Sequence, residues 1–103
     1  MRYKVLVTCP PMLRGIDAVK EKAAEMSMAL TTPNVLQTLT EDELIDQLQG
    51  HDGWIIGDDP ATARVVAAAK RSGLKAAVKW GIGVDNVDLV AFKEAGIPVI
   101  NTP

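Results

Sequence analysis

LKAAVKWGIGVDNVDLVAFKEAGIPVINTP, residues 74–103, carries a strand, a glycine turn, a helix and a second strand in one continuous stretch. The apolar run from Lys75 to Trp80 is too short for a helix and reads as a strand. Asp88 is placed to cap the helix LVAFKEA, and Gly96 ahead of Ile97-Pro98 ends it. Pro98 to Ile100 then forms the next short strand. Two such strands joined through a helix make a parallel crossover unit, so an α/β sheet is the starting expectation.

Working back toward the N-terminus, the same alternation recurs. Trp54-Ile55-Ile56 is a third strand, apolar enough to predict burial on both faces. Between it and Lys75, the alanine-rich run Ala61–Arg71 reads as a helix with Val65, Val66 and Ala69 inward and Gly73 as its stop. Thr40-Glu41-Asp42-Glu43 fits a capping box, opening a helix that buries Leu44, Ile45 and Leu48. Tyr3–Thr8 is the first strand, stopped by Cys9-Pro10-Pro11, where two prolines forbid further ladder pairing. Gly15–Met28 follows with helical spacing at Ile16, Val19, Ala23, Ala24 and Met26, and Ala29–Thr31 is a weakly marked second strand. Five strands and four helices in strict alternation predict a flavodoxin-like, three-layer αβα sandwich around a five-stranded parallel sheet.

The bulk composition agrees. The 103 residues suit one domain, and at 48% hydrophobic, 23% charged and 4% aromatic the core must be built from aliphatic side chains. A net charge of −2 offers no field for a phosphate backbone, so nucleic acid is not an expected partner. Cys9 has no second cysteine to pair with, and the opening MRYKVLVTCPP is too short an apolar run for a signal peptide or a membrane span; a cytoplasmic setting is expected. Asn101-Thr102-Pro103 follows a strand with no covering helix, which predicts a further domain beyond it.

In an open parallel sheet, ligands bind beyond the carboxyl ends of the strands, which points to the turn after Trp80. Glycines at 81 and 83 let the backbone approach a ligand closely and leave the amides of Ile82, Gly83 and Val84 for an anion such as a carboxylate. The plainer reading is a tight turn whose glycines relieve crowding. Asp85 and Asp88 would repel an anion while favouring the helix dipole.

K-W-G-I-G-V-D-N-V-D from Lys79 to Asp88, then LVAFKEA and G-I-P-V-I-N-T-P from Gly96 to Pro103, resembles the hallmark of the D-2-hydroxyacid dehydrogenases, particularly phosphoglycerate-dehydrogenase-like members. D-G-W-I-I-G-D-D at residues 52–59 is similar to the family's third strand. The resemblance implies a substrate-binding lobe, residues 1–103, facing a Rossmann nucleotide-binding domain across a cleft. It implies that the amides of Ile82 and Gly83 hold the substrate carboxylate, with Gly81 beside them and Lys79 as a basic group near the substrate. Lys79 has an alternative as a solvated side chain at the sheet edge. Gly57 stands where phosphoglycerate-type members commonly have arginine, which widens the choice of 2-hydroxy acid.

By the same resemblance, NAD or NADP serves the whole protein, the catalytic His, Glu and Arg lie outside this chain, and the whole protein is a homodimer. The lobe alone is then an inactive monomer that binds no cofactor. A distant helix that covers the lobe in the family would leave an apolar patch where it is missing. Two alternatives stand beside this: a flavodoxin-like binding or signalling module without catalysis, and an excised folding fragment. A receiver-type module would carry an acidic pair where this chain has Cys9-Pro10-Pro11.

Other signals are weaker. Gly81-Ile82-Gly83-Val84-Asp85-Asn86 begins like a dinucleotide fingerprint but has asparagine at its third glycine. His51 lies in a turn on the side away from the strands' carboxyl ends. Cys9 reads as a small buried hydrophobe, Asp58 and Asp59 as caps for the following helix, and Met12, Met26 and Met28 as core fillers. No His/Cys/Asp/Glu set has metal-ligand spacing.

Overall fold

The computed structural model describes residues 3–8, 16–31, 39–57, 59–80 and 85–101. Along them run β1 (Tyr3–Val7), α1 (Ile16–Glu25), β2 (Met28–Thr31), α2 (Glu41–Leu48), β3 (Gly53–Ile56), α3 (Ala63–Arg71), β4 (Ala76–Lys79), α4 (Leu89–Ala95) and β5 (Val99–Asn101). The five strands form one sheet in the order β2-β1-β3-β4-β5, and every ladder is parallel. The predicted doubly wound arrangement is the observed one. Its Cα radius of gyration, 12.5 Å, is that of a single domain of this length.

Alternation along each strand divides the sheet into two unlike faces. Leu6, Trp54 and Ala77 sit in register and are buried, and they meet Leu44 and Leu48 of α2, Val65, Val66 and Ala69 of α3 and Phe92 of α4. That layer is the core. The side chains that alternate with them, among them Tyr3, Val5, Met28, Ile55, Ala76 and Val78, line an apolar hollow on the opposite face. Ile55 is therefore only half-buried, and the expectation that β3 is covered on both sides is corrected.

Local chemistry sets most boundaries. The Thr40 hydroxyl accepts from the Glu43 amide at 3.2 Å while Glu43 accepts from the Thr40 amide at 2.9 Å, completing the capping box. Asp88 accepts from the Ala91 amide at 3.0 Å to start α4, and Gly96 ends it at φ 73°, a left-handed conformation costly for any side chain with a Cβ. Two boundaries differ from the sequence reading. The first helix stops at Glu25, because Ser27 takes φ 60°; this turns the chain so that Met28 begins β2. Met26, beyond the helix end, faces solvent with 58% of its surface exposed and is not the core filler expected; Ala24, within the helix, is exposed as well. The helix read from Ala61 begins instead at Ala63, because Ala61 makes a parallel bridge to Val87.

Candidate functional site

The carboxyl ends of the strands are joined by a buried polar network. It begins in the core, where the Trp54 indole N–H donates to Thr8 Oγ1 at 2.9 Å, as a buried indole requires an acceptor. Thr8, the residue after β1, donates a hydrogen bond from its hydroxyl to the Asp59 carboxylate. Asp59 Oδ2 also accepts from the Gly57 amide at 3.1 Å, and Oδ1 from the Leu39 amide at 3.4 Å. Thr8 and Asp59 have no exposed surface. One carboxylate thus ties together the segments that follow β1, β2 and β3.

Burial holds the Asp59 carboxyl above its ordinary value, because desolvation penalises the charged form; the bonds from Thr8, Gly57 and Leu39 oppose the shift without cancelling it. Asp59 does not cap α3. That role belongs to Thr62, whose side chain accepts from the Val65 amide, so the expected capping by Asp59 is corrected. Asp58 lies outside the described residues.

The fourth strand joins the network through Gly57. Lys79, the last residue of β4, is 4% exposed and donates to the Gly57 carbonyl at 2.6 Å. Asn86 donates to the same carbonyl at 3.0 Å and to the Asp59 carbonyl at 2.7 Å. Its own carbonyl accepts from the Ala61 amide, and the Asp88 amide donates to Ala61, both at 2.9 Å. Trp80 begins the turn by donating its amide to Ile56 at 2.9 Å. Both ends of the 80–86 connection are therefore fastened to the segment that leaves β3.

Of the residues singled out in the sequence, Lys79 and Gly57 meet here. Lys79 is not a solvated edge side chain: its ammonium lies within the protein. Gly81, Ile82 and Gly83 lie outside the described residues, as does Cys9. His51 is at the opposite end of β3, where it is 8% exposed and shares a 2.7 Å hydrogen bond with Thr31 Oγ1. Asp85 is exposed, and Asp88 serves α4.

Thr8, Trp54 and Asn86 were not picked out by the sequence reading. The available signals were an indole in a buried strand and an asparagine at the third-glycine place of the fingerprint. That place also argues against a nucleotide loop. A dinucleotide turn opens directly into its helix, whereas here Asn86 is used in cross-links and α4 starts only at Leu89. Among the described residues, no group of three His, Cys, Asp or Glu could hold a metal ion, and no helix is long and apolar enough to cross a membrane.

Residues 9–103 match the family described as D-isomer specific 2-hydroxyacid dehydrogenase, catalytic domain. D-3-phosphoglycerate dehydrogenase of Sus scrofa is 44% identical over 68 residues, which are 65% of this chain and 12% of that protein. The enzyme of the same name from Methanocaldococcus jannaschii is 31% identical over 100 residues, 97% of this chain and 17% of its own length. Among solved structures, NAD+-bound 3-phosphoglycerate dehydrogenase of Entamoeba histolytica superposes with a TM-score of 0.85 at 22% identity, over all of this chain and 33% of that one. Apo D-lactate dehydrogenase of Escherichia coli superposes at 0.77 with 24% identity, over 98% of this chain and 31% of that one. The chain belongs to the D-isomer specific 2-hydroxyacid dehydrogenase family, and it spans less than a fifth of the length of these curated relatives.

Proposed function

We propose that this chain is the substrate-binding lobe of an NAD(P)-dependent oxidoreductase that interconverts a D-2-hydroxy acid and a 2-oxo acid. The carrying observation is that the connection from Trp80 to Asn86 is fastened at both ends to Gly57 and its neighbours, at the carboxyl edge of a parallel sheet. The amides of Ile82 and Gly83 receive the substrate carboxylate, and Gly81 lets the backbone approach it. Lys79 contributes its charge to the site, since an ammonium in a water-poor setting acts over a longer range than one in solvent. Gly57 presents no side chain, so the substrate is a 2-hydroxy acid not restricted to the phosphorylated members known among the relatives.

In this reading, as the resemblance implies, the general base for the hydroxyl and the residues that hold the dinucleotide lie in the rest of the polypeptide. NAD or NADP, held by a nucleotide-binding domain of the same polypeptide, brings the hydride chemistry, and the lobe's part is to bind and orient the acid and to exclude water on closing. The apolar sheet face lined by Val5, Ile55 and Val78 supports the view that another part of a longer polypeptide covers it. The whole protein is read as a cytoplasmic homodimer and the isolated lobe as a monomer.

The test is direct. The whole polypeptide should oxidise NADH or NADPH in the presence of a 2-oxo acid, and the 103-residue chain should neither catalyse this nor bind NAD in a calorimeter. Tight NAD binding by the chain alone would overturn the division of labour proposed here.

A further inference from the structure

We propose that Asn86 is a positioning residue for substrate binding, acting through the backbone carbonyls of Gly57 and Asp59; the proposal rests on the reading of the chain as a substrate-binding lobe. The Gly57 carbonyl takes one donor from each side of the 80–86 connection, Lys79 Nζ before it and Asn86 Nδ2 after it. A carbonyl oxygen has two lone pairs, so this acceptor is fully used, and the separation of the two ends is fixed by one atom.

The second Asn86 proton goes to the Asp59 carbonyl, and the peptide on either side extends the contact through the Ala61–Val87 bridge. Both side-chain partners are carbonyls, which fixes the amide with its nitrogen toward them. Aspartate at this place would be nearly the same size but would set a carboxylate against two carbonyl oxygens. Glycine, the residue of a dinucleotide fingerprint, would give neither bond.

The clamp also has a rigid base. Gly57 and Asp59 are held from behind by the Asp59 carboxylate, Thr8 and Trp54, all buried. Loss of Asn86 leaves the entrance of the connection fastened by Lys79 and Trp80 while its exit is held by backbone alone. A displacement of about 1 Å at a group that contacts substrate is enough to weaken its effect severely. The affected quantity is therefore acid binding, with cofactor binding left alone.

The experiment compares Asn86→Ala and Asn86→Asp in the whole polypeptide, using NADH with glyoxylate, pyruvate and 2-oxoglutarate as probes. The KM for the accepted 2-oxo acid should rise about tenfold in the alanine variant and more in the aspartate variant. The KM for NADH should stay within about twofold of wild type, because no uniform binding of cofactor is removed. A wild-type acid KM in Asn86→Asp would overturn the proposal, since a residue that only fills space tolerates this exchange. If the wild type reduces none of these acids and no phosphorylated 2-oxo acid either, the oxidoreductase reading fails by itself. The proposal is then decided on the whole polypeptide by amide exchange at Ala61 and Asp88. Faster exchange in Asn86→Asp supports the clamp, and unchanged exchange overturns it.

Discussion

Asp52 and Asp59 bracket the same strand, β3, and are held in opposite ways. Asp52, at the entrance, accepts from the Lys4 amide at 2.9 Å and lies 3.6 Å from the Lys75 ammonium. Its carboxyl is lowered from the ordinary 3.8, chiefly by the Lys4 bond. Asp59, at the exit, makes more hydrogen bonds and yet is raised, because it is sealed from water. The difference teaches that hydrogen bonds alone do not set a carboxylate's protonation; the solvent it has lost decides. The entrance stitches strands together at a wet rim, while the exit keeps a costly buried group where the ligand is expected to bind.

The comparison can be broken most forcefully at the exit. Asp59→Ala strips the carboxylate acceptor from the Thr8 hydroxyl and from the Gly57 and Leu39 amides and should cost roughly 3–5 kcal/mol in urea unfolding, because buried donors lose their partner. A loss under about 1 kcal/mol would mean that water replaces the carboxylate readily and that the exit is no more closed than the entrance. Trp54→Phe keeps an aromatic ring in the core but removes the indole donor to Thr8, and should cost about 1–2 kcal/mol by the same measurement.

The two aspartates should also impose opposite pH slopes. Asp52, with a lowered carboxyl, contributes stability that is present above 3.8 and lost as pH falls through its folded value. Asp59, with a raised carboxyl, favours the fold most below 3.8 and contributes progressively less as pH rises through its folded value. Relative to wild type, Asp59→Asn should therefore gain stability with rising pH and Asp52→Asn should gain with falling pH. Parallel profiles for the two variants would erase the distinction. The smallest effect is expected at Arg64, which pairs with Asp42 and Glu41 across the exposed surface of α2 and α3. Arg64→Ala should leave the urea midpoint within error once salt screens the pair.

The elements were legible because their signals are local. The Thr40–Glu43 box, the Asp88 cap and the Gly96 stop each operate within one helical turn, so adjacent residues announce them. Asp59 was misread for the same reason. An acid just ahead of an alanine-rich helix looks like a cap, whereas its partners Thr8 and Leu39 are 51 and 20 positions away. Lys79 meets Gly57 across 22 positions, and no periodicity reports whether a strand-end lysine turns inward. Met26 failed through a single residue, since the left-handed turn at Ser27 ended α1 before the helical spacing ran out.

The sheet order also has a consequence for the time at which the fold can assemble. β1 is flanked by β2 and β3, and its contact with the start of β3 closes a span of 48 positions. At a synthesis rate of about 5–20 residues per second, β1 waits roughly 2–10 s on the ribosome for its second neighbour. Until then Leu6 has no Trp54 to pair with, and Thr8 has no Asp59. β1 is thus born as an unpaired apolar strand, and the polar network at the sheet's carboxyl edge is among the last parts of this lobe to close.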